Sequence, residues 1–183
     1  FGVSLGYGKR LSWPDNYFSF YGELSYQLYM MKDWPYMILT DGNSHNLALN
    51  FRLMRSSIDN PIYTRRGSQF TLGLKITPPY SLIKGTTDAQ YAQMSATEKY
   101  NLLEYHKWSF SGKVFTPLTA DSKLVLMARA DFGYLGHYNK NVKSPFESFY
   151  MGGDGMSSYS SYSTEYISMR GYQSGSLTPY DPA

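Results

Sequence analysis

The 183-residue sequence contains no cysteine. Thiol catalysis, disulfide frameworks and cysteine-ligated metals are therefore excluded. Long apolar runs are missing as well. Nothing approaches the roughly 18 consecutive apolar residues of a membrane helix, which excludes a helical membrane protein. A membrane barrel stays open, because each of its strands needs only about 9–11 alternating residues. Charge of one sign is scarce: 17 basic residues face 14 acidic ones, and a net +3 is too small to argue for nucleic acid. Histidine is sparse too. His45, His106 and His137 show no metal-ligand spacing and no HExxH pattern, so they read as polar strand or loop residues. Serine and aspartate are too common for spacing to pick out a Ser/His/Asp set. The sequence thus expects no catalytic residue, no metal and no cofactor. There is no initiator Met and no charged-then-apolar leader, so a signal peptide is neither seen nor excluded.

What the chain has is tyrosine, 19 of them, within 17% aromatic residues. It also has alternation, the period-two signature of a half-buried strand. Residues 1–11 place Phe1, Val3, Leu5 and Tyr7 on one face and Gly2, Ser4, Gly6, Gly8 and Arg10 on the other. Gly6 and Gly8 are not a phosphate loop, since no helix follows; they relieve crowding on the inner face. Residues 17–31 are the cleanest strand, with Phe18, Phe20, Leu24, Tyr26, Leu28 and Met30 on one side. Further strands fall at 45–58, 69–77, 105–117 and 123–135, after which alternation ends at Gly136. Trp13-Pro14-Asp15-Asn16, the segment 59–68 and Thr119-Ala120-Asp121-Ser122 are short turns rich in turn-forming residues. Between them lie a polar loop opened by Lys32-Asp33-Trp34-Pro35, with Asp41-Gly42-Asn43 as its turn, and a long loop over 78–100. In the latter, Ser95-x-x-Glu98 is a capping box that predicts a short helix over 95–104.

Connections that alternate short and long are the pattern of an outer-membrane barrel, with tight turns on one side and long loops on the other. The fold class read here is all-β: a transmembrane antiparallel β-barrel, of which residues 1–136 supply six strands and 137–183 a long outer loop. Six strands are fewer than the about eight of the smallest common barrel, so further strands are expected. The chain also starts in a strand-like run and stops in a turn-like one, which reads as a piece of a longer protein. The inward face carries Arg10, Arg52, Lys75, Lys107, Lys113 and Arg129 against Glu23 and Asp131, so a wet, basic lumen wall is expected. The competing reading is a soluble antiparallel sandwich or lipocalin-like barrel, which also alternates. Strand length, loop asymmetry and aromatics near strand ends (Tyr17, Tyr29, Trp34, Trp108, Tyr134) stand against it.

The end of the chain does not alternate. Phe149-Tyr150-Met151-Gly152-Gly153 is followed, after a Ser/Tyr-rich run that reads as a solvated loop over 157–166, by Met169-Arg170-Gly171-Tyr172-Gln173-Ser174. With Gly155 and Gly175 these hold five glycines, which allow tight turns and close backbone approach. A planar arginine among them points to a bidentate carboxylate partner.

These motifs resemble the Omp85 superfamily, in which a phenylalanine-and-glycine pair precedes a Val-Arg-Gly-Phe/Tyr motif in the sixth extracellular loop. Gln173-Ser174-x-Ser176-Leu177-x-Pro179, Ser144-Pro145-Phe146-Glu147-Ser148-Phe149 and Asn60-Pro61-x-x-Thr64-Arg65-Arg66-Gly67-Ser68 are similar to the same family's patterns. The resemblance runs the length of the chain, and its specific motifs occupy about a fifth of it. The resemblance implies strands six to eleven of a sixteen-stranded barrel, preceded by periplasmic POTRA domains. It implies a non-enzymatic function: folding and inserting β-barrel proteins into the bacterial outer membrane, or exporting a partner polypeptide through a pore. Implied partners are the outer-membrane lipid bilayer, unfolded outer-membrane protein clients and accessory periplasmic lipoproteins, with no nucleic acid. Loop six would fold back into the barrel. Arg170 would meet an acidic residue of a later strand, Gly171 would allow close approach to the wall, and Tyr172 would pack against it. Phe149, Gly152, Gly153 and Gln173 would support the loop. Two departures stand out: Met169 replaces valine, and the gap from Gly153 to Met169 is longer than the family's.

Overall fold

The computed structural model describes residues 1–33, 41–144, 146–154, 164–174, 176 and 177, without the side chains of residues 88, 92 and 164–166. Six strands form one sheet in chain order: β1 (Gly2–Arg10), β2 (Phe18–Met31), β3 (Gly42–Ser56), β4 (Gly67–Ile76), β5 (His106–Pro117) and β6 (Val125–Gly136). Every neighbouring pair is antiparallel. This is the meander the alternation predicts, and the strand ends fall within three residues of the expected ones. The sheet is open.

Register sorts the two faces. Leu5 faces Leu24, Leu24 faces Leu49, Phe51 faces Leu74, Leu72 faces Phe110, and Phe110 faces Phe132. This apolar face is the exposed one; Leu5 is 78% exposed and Phe132 61%. On the opposite face, towards the long-loop end, Ser25, Ser44, Asn46, Ala48 and Lys107 are buried. A soluble sandwich buries the apolar face and wets the polar one. Here the order is reversed. Cross-strand aromatic and aliphatic pairs still stabilise the apolar face, as with Phe20 stacked on Phe51 at 6.1 Å. His45 and His106 sit on this same face at the long-loop end. There His45 Nδ1 lies 2.6 Å from the Tyr26 hydroxyl, and His106 Nδ1 accepts from the Trp108 indole at 3.2 Å.

On the inner face, Gly6 makes room as expected. A Cβ there would collide with the Tyr21 phenol, which reaches along its own strand to donate to Glu23 at 2.7 Å.

The turns are built from their own side chains. Between β1 and β2, the Asp15 carboxylate accepts from the Tyr17 amide at 2.9 Å and bridges the Arg55 guanidinium at 2.8 Å. Between β3 and β4, one oxygen of Asp59 accepts from the amides of Asn60, Arg65 and Arg66 at 3.0, 3.0 and 3.3 Å. The Asn60 side chain accepts from Ile62 and Tyr63 in the same way.

The long connection differs from expectation. It carries three short helices, α1 (Tyr80–Lys84), α2 (Asp88–Gln93) and α3 (Ala96–Lys99). The Ser95/Glu98 capping box forms, but α3 stops at Lys99 instead of running to 104. The reason lies in β3. His45 donates to Asn101 O at 2.8 Å and accepts from the Leu103 amide at 3.0 Å, so residues 101–103 are extended along that strand. Leu103 and Tyr105 then anchor a small core with Phe146, Tyr29, Met31 and Leu135. In the connection between β2 and β3, residues 34–40, including Trp34, lie outside the described residues.

The Arg65 amide, followed by the other two, holds the Asp59 carboxyl below its ordinary value of 3.8. A carboxylate lowered on folding stabilises the turn above its ordinary pKa, and that stabilisation is lost as pH falls through the folded value. Amide exchange at Arg65 and Arg66, corrected for intrinsic rate, should therefore be protected at pH 6 and lose protection on acidification below about pH 4. Protection that survives in Asp59→Ala would sink this assignment.

Candidate functional site

The segment after β6 turns back onto the inner face of the sheet. Phe146 stacks flat on Tyr29, with ring centroids 4.5 Å apart and planes 4° from parallel. Glu147 follows, its side chain 1% exposed. One carboxylate oxygen accepts from Lys75 Nζ at 2.6 Å and from the Tyr105 hydroxyl at 3.0 Å. The other accepts from Lys107 Nζ at 3.1 Å. Lys107 also donates to Ser148 O at 3.3 Å and sits 4.6 Å from the centre of the Phe149 ring. The Phe149 ring occupies the space where a Cβ on Gly133 would be.

Charge explains this assembly. Lys75 and Lys107 are directly opposite one another across β4 and β5. Like charges so placed destabilise a sheet unless an anion intervenes. Glu147 is that anion, delivered from the next loop. One carboxylate against two ammoniums leaves a local excess of one positive charge, and the ring faces of Phe149 and Tyr105 meet the lysines where that excess lies. Burial, and then the Glu147 charge, push the Tyr105 phenol well above its ordinary range, so it stays a donor at any physiological pH. The wet, basic wall expected from the alternation is thus covered and its charge partly compensated at this end, because the loop lies over it.

Beyond Glu147, β7 (Ser148–Met151) pairs in parallel with β8 (Thr164–Ile167). Sequence reading took this second segment for part of a solvated loop; the ladder with β7 holds it instead. Residues 157–163 of that run lie outside the described residues. The two glycine motifs meet each other. The Gly152 amide donates to Ile167 O at 3.1 Å, the Gly153 amide to Tyr172 O at 2.9 Å, and the Met169 amide to Gly153 O at 2.9 Å. Gly152 and Gly153 have φ of +119° and +80°, which glycine adopts without strain. Both are buried, and Phe149 is half-buried. Met169, Arg170, Gly171, Tyr172 and Gln173 are exposed. Gly171 has φ +91°, and a Cβ there would meet open space among the described residues. Arg170 has no ion pair or hydrogen bond among the described residues. Gln173 O accepts from the Ser176 amide at 3.1 Å. A cavity of about 280 Å³ separates Phe149 and Ile167 from the wall residues Thr71, Ser111, Arg129 and Asp131. Arg129 pairs with Asp131 and reaches Ser168 Oγ at 3.5 Å, one residue before the motif.

A family model described as the Omp85 superfamily domain matches residues 1–182. The chain belongs to the Omp85 superfamily. None of the curated proteins matches it. Omp85 proteins are outer-membrane proteins of bacteria or organelles, and membership supports a function in protein insertion or translocation at that membrane. The seat just described holds the segment for which the sequence motifs imply the sixth extracellular loop. Phe149, Gly152 and Gly153 were read from the sequence as its supports; Glu147 and Tyr105 were not, although Glu147 stands inside a quoted motif. The facing lysines were the available signal, since their register demands an anion.

Removing one partner of a buried ion pair costs about 3–5 kcal/mol, because the other is left uncompensated. Glu147→Ala should lose about that much in equilibrium unfolding, with Lys107→Met in the same chain restoring part of it. Tyr105→Phe should lose about 1–2 kcal/mol. A Glu147→Ala chain as stable as the parent would show that the loop is not seated through this carboxylate.

Proposed function

We propose that this chain is barrel wall and loop-six strut of a BamA-type assembly factor, the central subunit of the machine that folds and inserts β-barrel proteins into the bacterial outer membrane. The observation that carries the reading is the docking of loop six. A motif segment plants a buried carboxylate on the inner wall, and its Gly-Gly pair clasps the Met-Arg-Gly-Tyr turn by backbone hydrogen bonds. The run Gln173-Ser174-x-Ser176-Leu177 favours the assembly branch over the secretion branch of the superfamily.

In this reading the six strands are part of a sixteen-stranded barrel whose apolar face meets lipid. Clients arrive unfolded from the periplasm with the help of accessory lipoproteins. They add strands to an opened seam by main-chain pairing, as β-augmentation does elsewhere. The function is non-enzymatic and uses no cofactor. The residues of this chain support that chemistry by fixing barrel shape. Arg170, presented at the exposed tip of the clasp, is the group that would reach a carboxylate on another inner strand, since a guanidinium buried in a narrow lumen needs one.

Arg170→Ala should impair barrel assembly or barrel stability in a strain depleted of the native copy. Normal growth together with normal barrel folding would refute the strut. The branch is tested separately by a peptide map of the parent protein. Several POTRA repeats upstream and further alternating strands downstream support assembly, whereas one or two POTRA units and a large stable conductance mean a secretion pore.

A further inference from the structure

The three short turns share one end of the sheet, and the charge of the chain is concentrated there. With their flanking strand ends, residues 9–17, 55–68 and 116–125 hold six basic residues, Lys9, Arg10, Arg55, Arg65, Arg66 and Lys123, and three acidic ones, Asp15, Asp59 and Asp121. The remaining 11 basic and 11 acidic residues cancel, so this end carries the whole net charge of +3.

The acids do not neutralise the outermost cations. Asp15 is held by Arg55 at 2.8 Å and Asp121 by Lys123 at 3.2 Å. Asp59 is turned inward onto backbone amides. The side chains of Arg65 and Arg66 are exposed and make no ion pair among the described residues. Beside them stand large apolar groups in water: Ile62 and Tyr63 are each 79% exposed, Trp13 is 81% and Leu118 57%. In a two-residue exposed stretch, apolar side chains gain nothing from water, and Asp59 and Asn60 together fix the turn that presents them.

This surface is continuous with the apolar outer face of the sheet. Thr116 pairs with Leu126 on that face, and the ladder carries on to Leu118, whose amide donates to Leu124 O at 2.8 Å. Arg55 closes the face at the β3 end, its guanidinium over the rings of Tyr17 and Phe18 at 5.6 and 5.8 Å. An apolar band that ends in exposed aromatics and then in uncompensated arginines fits the boundary between acyl chains and headgroups.

We propose that the turn end is a docking surface for anionic phospholipid headgroups. Ile62, Tyr63 and Trp13 enter the interface, and Arg65 and Arg66 hold the lipid phosphates. The proposal rests on the reading of the outer face as lipid-facing, so its test carries a separate control for that reading. The parent protein would be placed in vesicles of phosphatidylcholine alone and of phosphatidylcholine with phosphatidylglycerol. Nitroxide labels would be attached at Ile62→Cys and, as the control, at Leu72→Cys, and their depth read by power saturation with oxygen and a nickel chelate. Lipid retention would be read by native mass spectrometry for the unlabelled protein and for Arg65→Gln/Arg66→Gln.

The Leu72 label should lie deep in lipid and the Ile62 label at the headgroup level. The double variant should lose its preference for phosphatidylglycerol over phosphatidylcholine by about 25-fold, since each basic residue near an anionic surface contributes about fivefold. An Ile62 label in water while Leu72 is in lipid overturns the proposal. So does an Ile62 label shielded equally in lipid-free detergent, which would mean that protein covers the turn. A Leu72 label in water overturns the membrane reading beneath it.

Discussion

A single carboxylate holds the segment after β6 in place on the sheet. Glu147 lies between two lysines that the sheet itself puts face to face, and neither strand supplies an acid of its own there. The β4–β5 pairing is therefore strained without the loop, and the loop has no seat without the pairing. Phe146 on Tyr29 and Phe149 over Lys107 take their places on either side of that contact. The clasp formed by Gly152, Gly153 and the Met169–Tyr172 turn is positioned by it in turn. Tyr105 adds a third party, because its phenol bonds both Glu147 and Asn46. The long loop between β4 and β5 and the loop after β6 are thereby tied to the same point on the wall.

The arrangement inverts the usual division of labour between faces. Apolar pairs such as Leu72 with Phe110 are outside and exposed, while polar residues are buried under a lid of loop. Burying polar groups is costly unless they are partnered. The inner wall meets this condition with polar pairs such as Asn50 with Ser25, Ser44 with the Tyr100 carbonyl and Thr77 with the Tyr105 carbonyl. The outer face confines such exchanges to its long-loop end, where His45 meets Tyr26 and His106 meets Trp108, and is otherwise suited to a solvent that offers none. Membership of the Omp85 superfamily and the burial pattern thus agree through independent physics.

Much of the sheet was legible in the sequence because its information is local. Alternation fixes both the strand and the face, and Ser95 with Glu98 announces a helix start three residues ahead. The site was harder to read because its partners are distant: Glu147 meets Lys107 across 40 positions and Lys75 across 72. No periodicity encodes such a contact. The early end of α3 has the same origin, since β3 competes for the backbone of residues 101–103 and wins. β8 escaped notice because a four-residue strand in a Ser/Tyr-rich stretch has no pattern of its own; it exists through its ladder with β7. Phe149, Gly152 and Gly153 were singled out by family resemblance, and for Phe149 the structure shows a physical counterpart: Gly133 on the wall is bare so that the phenyl ring can lie on it.

The clasp between Gly152-Gly153 and residues Ile167 to Tyr172 closes with three backbone hydrogen bonds and a short parallel ladder, all made between the two ends of the intervening segment. Once the ends are joined, the chain between them is a closed loop whose ordering cost rises only with the logarithm of its length, about 0.6 kcal/mol per doubling. A longer insertion between these two ends therefore costs little more to order and leaves the contacts that join them unchanged.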